Sequence, residues 1–314
     1  MPCTMERLLE LRADAFSDDV AITDEMCEWT EERAVSYFEN GGVTDISDRT
    51  PPPPATQPLR ILSFHGGGAN KALNAMQMAR LKGALVNAKV DYLEGTRKWK
   101  DENIDPMLRK MFGDGPYYGW YGVENDSKYD MHDAMNYVNA MMDPSVNFTY
   151  LEYDEALDRV EAHMQANGPY DVLAGFSQGA IMITMLTART LQRGKKPSWK
   201  CNVLLSALPP RASPYAPIFP RGEGLGNPMH IVPPIGAAIP CVACMGERDQ
   251  YFKYGQQGLK SIYGPSLKWF EHTGGHETAK DPEVNGRLAD AIWRAVGFEP
   301  PSRAEWAKAQ VPRS

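Results

Sequence analysis

A serine framed by glycines, Gly175-Phe176-Ser177-Gln178-Gly179, lies between two apolar runs, "YDVLAG" and "AIMITML". A serine hydroxyl is a poor nucleophile until a base takes its proton, and that base needs an acid to orient it. Candidates for both follow: Asp249, 72 positions on (177 to 249), and His276, 27 positions further (249 to 276). Brought together, three such side chains transfer acyl groups by way of a covalent intermediate. The carbonyl under attack becomes an oxyanion, and each preorganised backbone N–H aimed at it contributes about 2–4 kcal/mol. Gln178, directly after the serine, supplies one donor. The glycine-rich stretch "FHGGGAN" supplies the other, assigned to Gly67 with Gly68 as the one-residue alternative.

Each candidate has a plainer reading. Glu247 and Asp281 are nearby rivals to Asp249, and any of the three can be a turn or surface acid. His272 falls inside an apparent strand, so His276, in a glycine-softened loop, is the better base. His65 also ends a strand but precedes the nucleophile, and its first role is packing and hydrogen bonding within its own loop. It is carried, with Gly68, Tyr118, Trp120 and Phe176, as a substrate-contacting candidate. The glycines at 66–68 do not cradle phosphate: the P-loop pattern is missing, and Lys71 stands where a dinucleotide fingerprint needs a third glycine. Cys241-x-x-Cys244 with His272 and His276 imitates a zinc site. The gap between its halves is too long, however, and an i, i+3 pair on a strand points to opposite faces. No metal and no cofactor are expected.

The elements that must position these residues are legible in order. "LRILSF", "KVDYLEG", "YDVLAGFS", "KCNVLLSAL", "PCVACMGERD" and "LKWFEHTGGH" read as buried strands. "NKALNAMQMARLKGALV", "YDEALDRVEAHMQANG", "QGAIMITMLTARTLQRG" and "EVNGRLADAIWRAVGF" read as helices. Their alternation predicts a mostly parallel sheet with helices on both faces. Ser177 then sits on a sharp strand-to-helix turn, where glycines two residues either side let the backbones pass without Cβ clashes. Strand-end positions for Asp249 and His276, in the order Ser, Asp, His, match the arrangement of α/β-hydrolases.

The 314 residues, 43% hydrophobic and 23% charged, describe an ordinary globular protein, and a net charge of −7 gives no basic surface for nucleic acid. Five cysteines form no disulfide framework. The N-terminus lacks a secretory pattern and no run is long enough to span a bilayer, so a cytoplasmic location is expected. Residues 1–55 read as a helical extension with the proline-rich "TPPPPATQP" at its end, either a helical cap or an oligomerisation element that makes the chain a homo-oligomer, or a mobile acidic arm. Residues 56–300 form the main domain, and 301–314 a tail. Tyr117, Tyr118, Trp120, Tyr121, Met131, Met135, Met141 and Met142 cluster before the serine and are candidates to line an acyl pocket.

The stretches "LSFHGGGAN", "VDYLEGTRKW", "GPYYGWY", "NGPYDVLAGFSQGA", "IPCVACMGERDQYF" and "HTGGHETAKD" together resemble the FSH family of serine hydrolases from about Leu59 to about Phe298. The resemblance implies an α/β-hydrolase fold and cleavage of a small-molecule acyl ester or thioester without metal or organic cofactor. It places nucleophile, acid and base on Ser177, Asp249 and His276. Three features depart from it. Residues 1–55 have no counterpart, and a bulkier residue is expected where Gly67 or Gly68 stands. The stretches 123–150 and 209–240 are long, and both are expected to lie over the strand C-termini, where such sheets bind ligands. The competing expectation is a catalytically idle hydrolase fold serving as a small-molecule receptor or interaction module.

Overall fold

The computed structural model describes residues 4–14, 58–99, 112–125, 148–211 and 235–298, with isolated positions at 27, 34, 109–110, 136, 139–140, 143, 146 and 300. The chain divides into two compact units, Met1–Pro51 and Pro52–Ser314. In the first, helix α1 (Met5–Asp14) starts where Thr4 Oγ1 accepts the Arg7 N–H at 3.1 Å, an N-cap, and Arg7 pairs with Glu10 one turn on. The rest of the anticipated N-terminal extension, Cys27 and Ala34 aside, and the 301–314 tail lie outside the described residues.

The larger unit is built on six parallel strands: β1 (Leu59–Phe64), β2 (Ala88–Leu93), β7 (Val172–Phe176), β8 (Cys201–Leu205), β9 (Cys241–Gly246) and β10 (Leu267–His272). Their order across the sheet is β10-β9-β8-β7-β1-β2. Two short antiparallel pairs accompany it: β3 (Arg97–Lys98) with β4 (Tyr118–Gly119), and β5 (Gly122–Asn125) with β6 (Phe148–Leu151). The sequence reading foresaw none of these four strands, because runs of two to four residues leave too little periodic pattern to detect.

Alternate side chains of the central strands enter separate cores, as period-two geometry requires. Leu62, Leu173, Leu204 and Ala243 face one cluster; Ile61, Ala174, Val203 and Val242 face the other. The first is covered by α3 (Tyr153–Asn167), α4 (Gln178–Gln192) and α5 (Phe252–Tyr263), the second by α2 (Lys71–Ala84) and α6 (Pro282–Ala295). This is the α/β-hydrolase arrangement. Side-chain caps fix the starts of two helices: Asn70 Oδ1 accepts the Leu73 N–H at 3.0 Å, and Asp281 Oδ1 accepts the Glu283 N–H at 2.7 Å.

One feature of the order matters for the site. From β1 the chain moves outward to the edge strand β2, and later returns to lay β7 on the other side of β1. The loops leaving the C-terminal ends of β1 and β7 therefore diverge, opening the crevice where sheets of this kind bind ligands.

Candidate active site

Ser177 occupies the turn from β7 into α4 with φ +50° and ψ −118°, a conformation L-residues rarely adopt and one that costs about 1–3 kcal/mol. The surrounding packing sustains it. The Ser177 N–H donates to Leu205 O at 2.9 Å, tying the turn to β8. A Cβ at Gly175 would lie 2.6 Å from Ala180 N. One at Gly179 would lie 2.5 Å from the carbonyl oxygens of both Phe64 and His65. Only glycine at both positions lets α4 start hard against the end of β1.

Asp249 follows the C-terminal end of β9, its side chain fully enclosed. Oδ1 accepts the Tyr251 N–H at 3.0 Å, while Oδ2 lies 2.7 Å from His276 Nδ1. His276 Nε2 lies 3.0 Å from Ser177 Oγ. The imidazole thus bridges acid and hydroxyl, flanked by the Phe176 ring at 5.2 Å and the edge of Tyr251 at 5.7 Å. The rivals stand elsewhere: Glu247 is exposed and Asp281 caps α6.

The loops bearing acid and base are stapled together by backbone. Glu247 N–H donates to His272 O at 2.8 Å and Arg248 N–H to Gly274 O at 3.0 Å. A Cβ at Gly246 would lie 2.3 Å from Gly275 O. His272 is buried within this joint: its Nδ1 accepts the Gly274 N–H at 3.0 Å and its Nε2 lies 3.1 Å from Glu277 O. A short carboxylate contact with Lys280 holds Glu277 below its ordinary pKa.

On the other side of Ser177 lies the loop after β1. Gly67 is exposed there, Gly68 is buried with φ +67°, and a Cβ at Gly66 would meet the Phe176 ring and Ser177 Cβ. The Gln178 N–H, first of α4, has no carbonyl within its own helix to bond. The Gln178 side chain spans outward: Oε1 accepts the Trp120 N–H at 2.9 Å and Nε2 donates to Tyr121 O at 3.0 Å. Tyr118, half-buried, exchanges backbone hydrogen bonds with Ala69, which joins the glycine loop to β4.

Two of the expected substrate contacts are corrected by burial. His65 is fully enclosed, with Nδ1 2.6 Å from Gly66 O and Nε2 accepting the Gly95 N–H at 2.8 Å, so neither ring nitrogen is left for a ligand. Burial lowers its pKa and keeps it neutral. Trp120 is buried too, its indole N–H given to His65 O at 2.8 Å and its ring packed on Phe64 and His65. Both shape the loop from behind. Phe176 is 7% exposed and touches the site through His276 and Gly66. Of the acyl-pocket candidates, Tyr117 and Tyr121 are buried, and Met131, Met135, Met141 and Met142 lie outside the described residues.

Cys241 and Cys244 enter opposite cores, and burial raises both thiols, Cys244 to about 12. Among the described residues, no helix is long and apolar enough to cross a membrane. The sequence reading missed Trp99 and the amide of Gln178. Trp99 gave no signal because its contacts are to glycines distant in sequence, two in the loop after β1 and one in β4; Gln178 was read for its backbone alone.

Comparison with known proteins identifies a family. A family model described as serine hydrolase (FSH1) matches residues 55–282. Hydrolase phiM of a fungal species is 23% identical over 238 residues, covering 74% of this chain and 93% of its own length. Esterase FUS5 of Gibberella fujikuroi is 23% identical over 236 residues, covering 74% and 85%. The dihydromonacolin L-[lovastatin nonaketide synthase] thioesterase of Aspergillus terreus is 25% identical over 130 residues, covering 41% and 46%.

Proposed function

The chain belongs to the FSH1 serine hydrolase family, and we propose that it cleaves a carboxylic ester or thioester of an acyl chain with Ser177, His276 and Asp249 as nucleophile, base and acid. The observation that carries this reading is the single imidazole placed 3.0 Å from Ser177 Oγ and 2.7 Å from the enclosed Asp249 carboxylate. Ester and thioester are kept together because the relatives include both an esterase and a thioesterase.

Ser177 Oγ attacks the acyl carbon as its proton passes to His276 Nε2. Asp249 holds the Nδ1–H and stabilises the imidazolium without accepting the proton. The carbonyl electrons move onto oxygen, which takes hydrogen bonds from the Gln178 and Gly67 N–H groups, with the N-terminal dipole of α4 adding to them. Collapse breaks the bond to the alcohol or thiol, which leaves with the proton from His276. Water then attacks the acyl-serine with His276 again as base, releasing the acid and restoring the hydroxyl.

A fluorophosphonate probe tests this directly. It labels the folded wild type, and labelling disappears in Ser177→Ala, whose turnover of p-nitrophenyl esters and acyl thioesters falls on the order of 10⁶-fold. Folded protein that takes no label overturns the reading in favour of a non-catalytic receptor, while turnover that survives Ser177→Ala or His276→Ala overturns the assignment of nucleophile or base.

A further inference from the structure

Two neighbouring glycines in the loop after β1 lack side chains for different reasons. Gly68, at φ +67°, has a left-handed backbone that L side chains rarely adopt. Gly67 has no such constraint; what blocks a side chain there is the indole of Trp99. A Cβ on Gly67 would lie 3.0 Å from Trp99 Cη2 and 3.2 Å from Cζ3. The same ring lies 3.1 Å, through Nε1, from the Cβ position of Gly68, and 2.9 Å, through Cζ3, from that of Gly119. Gln178 Oε1 borders the same space, 3.5 Å from the Cβ position of Gly67 and 3.0 Å from that of Gly119. The indole therefore lies across three glycines, beside the two residues whose N–H groups face the developing oxyanion.

Its root is held in place. The Trp99 N–H donates to Tyr117 O at 2.9 Å, directly after the β3–β4 pairing, and Tyr118 is bonded in turn to Ala69. Trp99 is half-buried, its indole packed on the three glycines. The stereochemistry of acyl transfer gives the ring a role. His276 must reach the departing oxygen or sulfur, so the leaving group lies toward His276, between Phe176 and Tyr251. The carbonyl oxygen points at the Gln178 and Gly67 donors. The acyl substituent takes the remaining direction, past the donors and along the surface that Trp99 borders.

We propose that Trp99 is a specificity-determining residue for this reaction. Its indole fills the volume that a side chain at Gly67 would occupy and limits the width of the acyl group next to the carbonyl carbon. Straight acyl chains pass, and α-branched isomers are disfavoured. The proposal rests on the serine-hydrolase reading of Ser177 given above.

The test compares two substrates of equal carbon count, p-nitrophenyl butyrate and p-nitrophenyl isobutyrate, with active sites counted by fluorophosphonate titration. In Trp99→Ala the isobutyrate-to-butyrate ratio of kcat/KM rises about tenfold, the scale on which one carbon is discriminated in an apolar pocket. Trp99→Phe gives a smaller rise, and Gly67→Ala, whose Cβ presses the ring into the crevice, lowers the ratio. Should Trp99→Ala fail to fold, the other two variants decide: an unmoved ratio in both sinks the proposal. So does a folded Trp99→Ala that changes both substrates by the same factor. Activity that persists in Ser177→Ala would overturn the underlying reading instead, whatever the ratio does.

Discussion

Two glycine-rich turns face each other across the crevice, and their glycines are needed for opposite reasons. At the turn bearing Ser177, a Cβ on Gly175 or Gly179 would strike backbone: Ala180 N at 2.6 Å in one case, Phe64 O and His65 O at 2.5 Å in the other. Backbone cannot rotate out of the way, so those positions are fixed by the path of the chain. At the loop after β1, a Cβ on Gly67 would strike only the end of the Trp99 ring at 3.0 Å. A side chain can give by a few tenths of an ångström. The first turn is a structural necessity of the fold; the second is a local agreement between one glycine and one tryptophan, open to change.

The largest effect that separates the two is Gly179→Ala. The added methyl group forces α4 off the end of β1 and carries Ser177 and the Gln178 N–H with it. Stability drops by about 3 kcal/mol, at the upper end of overpacking costs, and ester hydrolysis is lost. Gly67→Ala costs about 1 kcal/mol or less, because only the ring must shift. Urea unfolding midpoints measure both. Equal midpoints for the two variants would show that the contrast between backbone and side-chain neighbours has been misjudged.

The same contrast explains what the sequence made legible. Gly-x-Ser-x-Gly between an apolar strand and a helix announces itself because the clash avoided at Gly175 is local: residues 175, 179 and 180 meet within one turn. Asp249 and His276 could be picked out because each follows a strand-like run that breaks at a glycine. The β1–β7 juxtaposition was not legible, because alternating strands and helices predict a parallel sheet and not the order of strands within it. His65 and Trp120 were misjudged as ligand contacts, since a histidine at a strand end and a tryptophan near a serine look the same whether they face the crevice or its back. Only the Trp120 indole donating to His65 O, and Gly95 N–H donating to the His65 ring, settle the direction. Trp99 was invisible because its partners at 67, 68 and 119 come from the loop after β1 and from β4, related by no spacing rule.

Gln178 belongs to both regions and sharpens the comparison. Its N–H sits at the serine turn, while its side-chain amide holds the Trp120 N–H and Tyr121 O of the opposite wall. Gln178→Ala leaves the backbone donor but frees that wall, stranding two part-buried backbone groups. The expected cost is about 1–2 kcal/mol of stability, with fluorophosphonate labelling slowed about tenfold. Gln178→Glu keeps the acceptor for Trp120 N–H and loses the donor to Tyr121 O, so it falls between. If the alanine variant is labelled at the wild-type rate, the two turns are not coupled through this amide.

The smallest effect concerns His65, which joins the regions from below: its carbonyl is what a Cβ on Gly179 would strike, and its ring holds Gly95. Burial lowers its pKa from the ordinary 6.5, outweighing the upward pull of Gly66 O and the Glu94 charge. Below pH 6.5 the unfolded chain binds a proton at this position that the folded chain refuses. The stability contribution is therefore fully present above 6.5 and is lost as pH falls through the lower folded value. Protonation also removes the Nε2 lone pair that accepts the Gly95 N–H, releasing the glycine loop from behind. Urea midpoints measured between about pH 7.5 and pH 5 should fall more steeply for wild type than for His65→Asn, which has no proton to take up. Other titrating groups cancel in that difference. Parallel slopes would mean that His65 accommodates its charge in the folded state, and that the loop beside Gly67 is held by Trp99 and Tyr118 rather than from beneath.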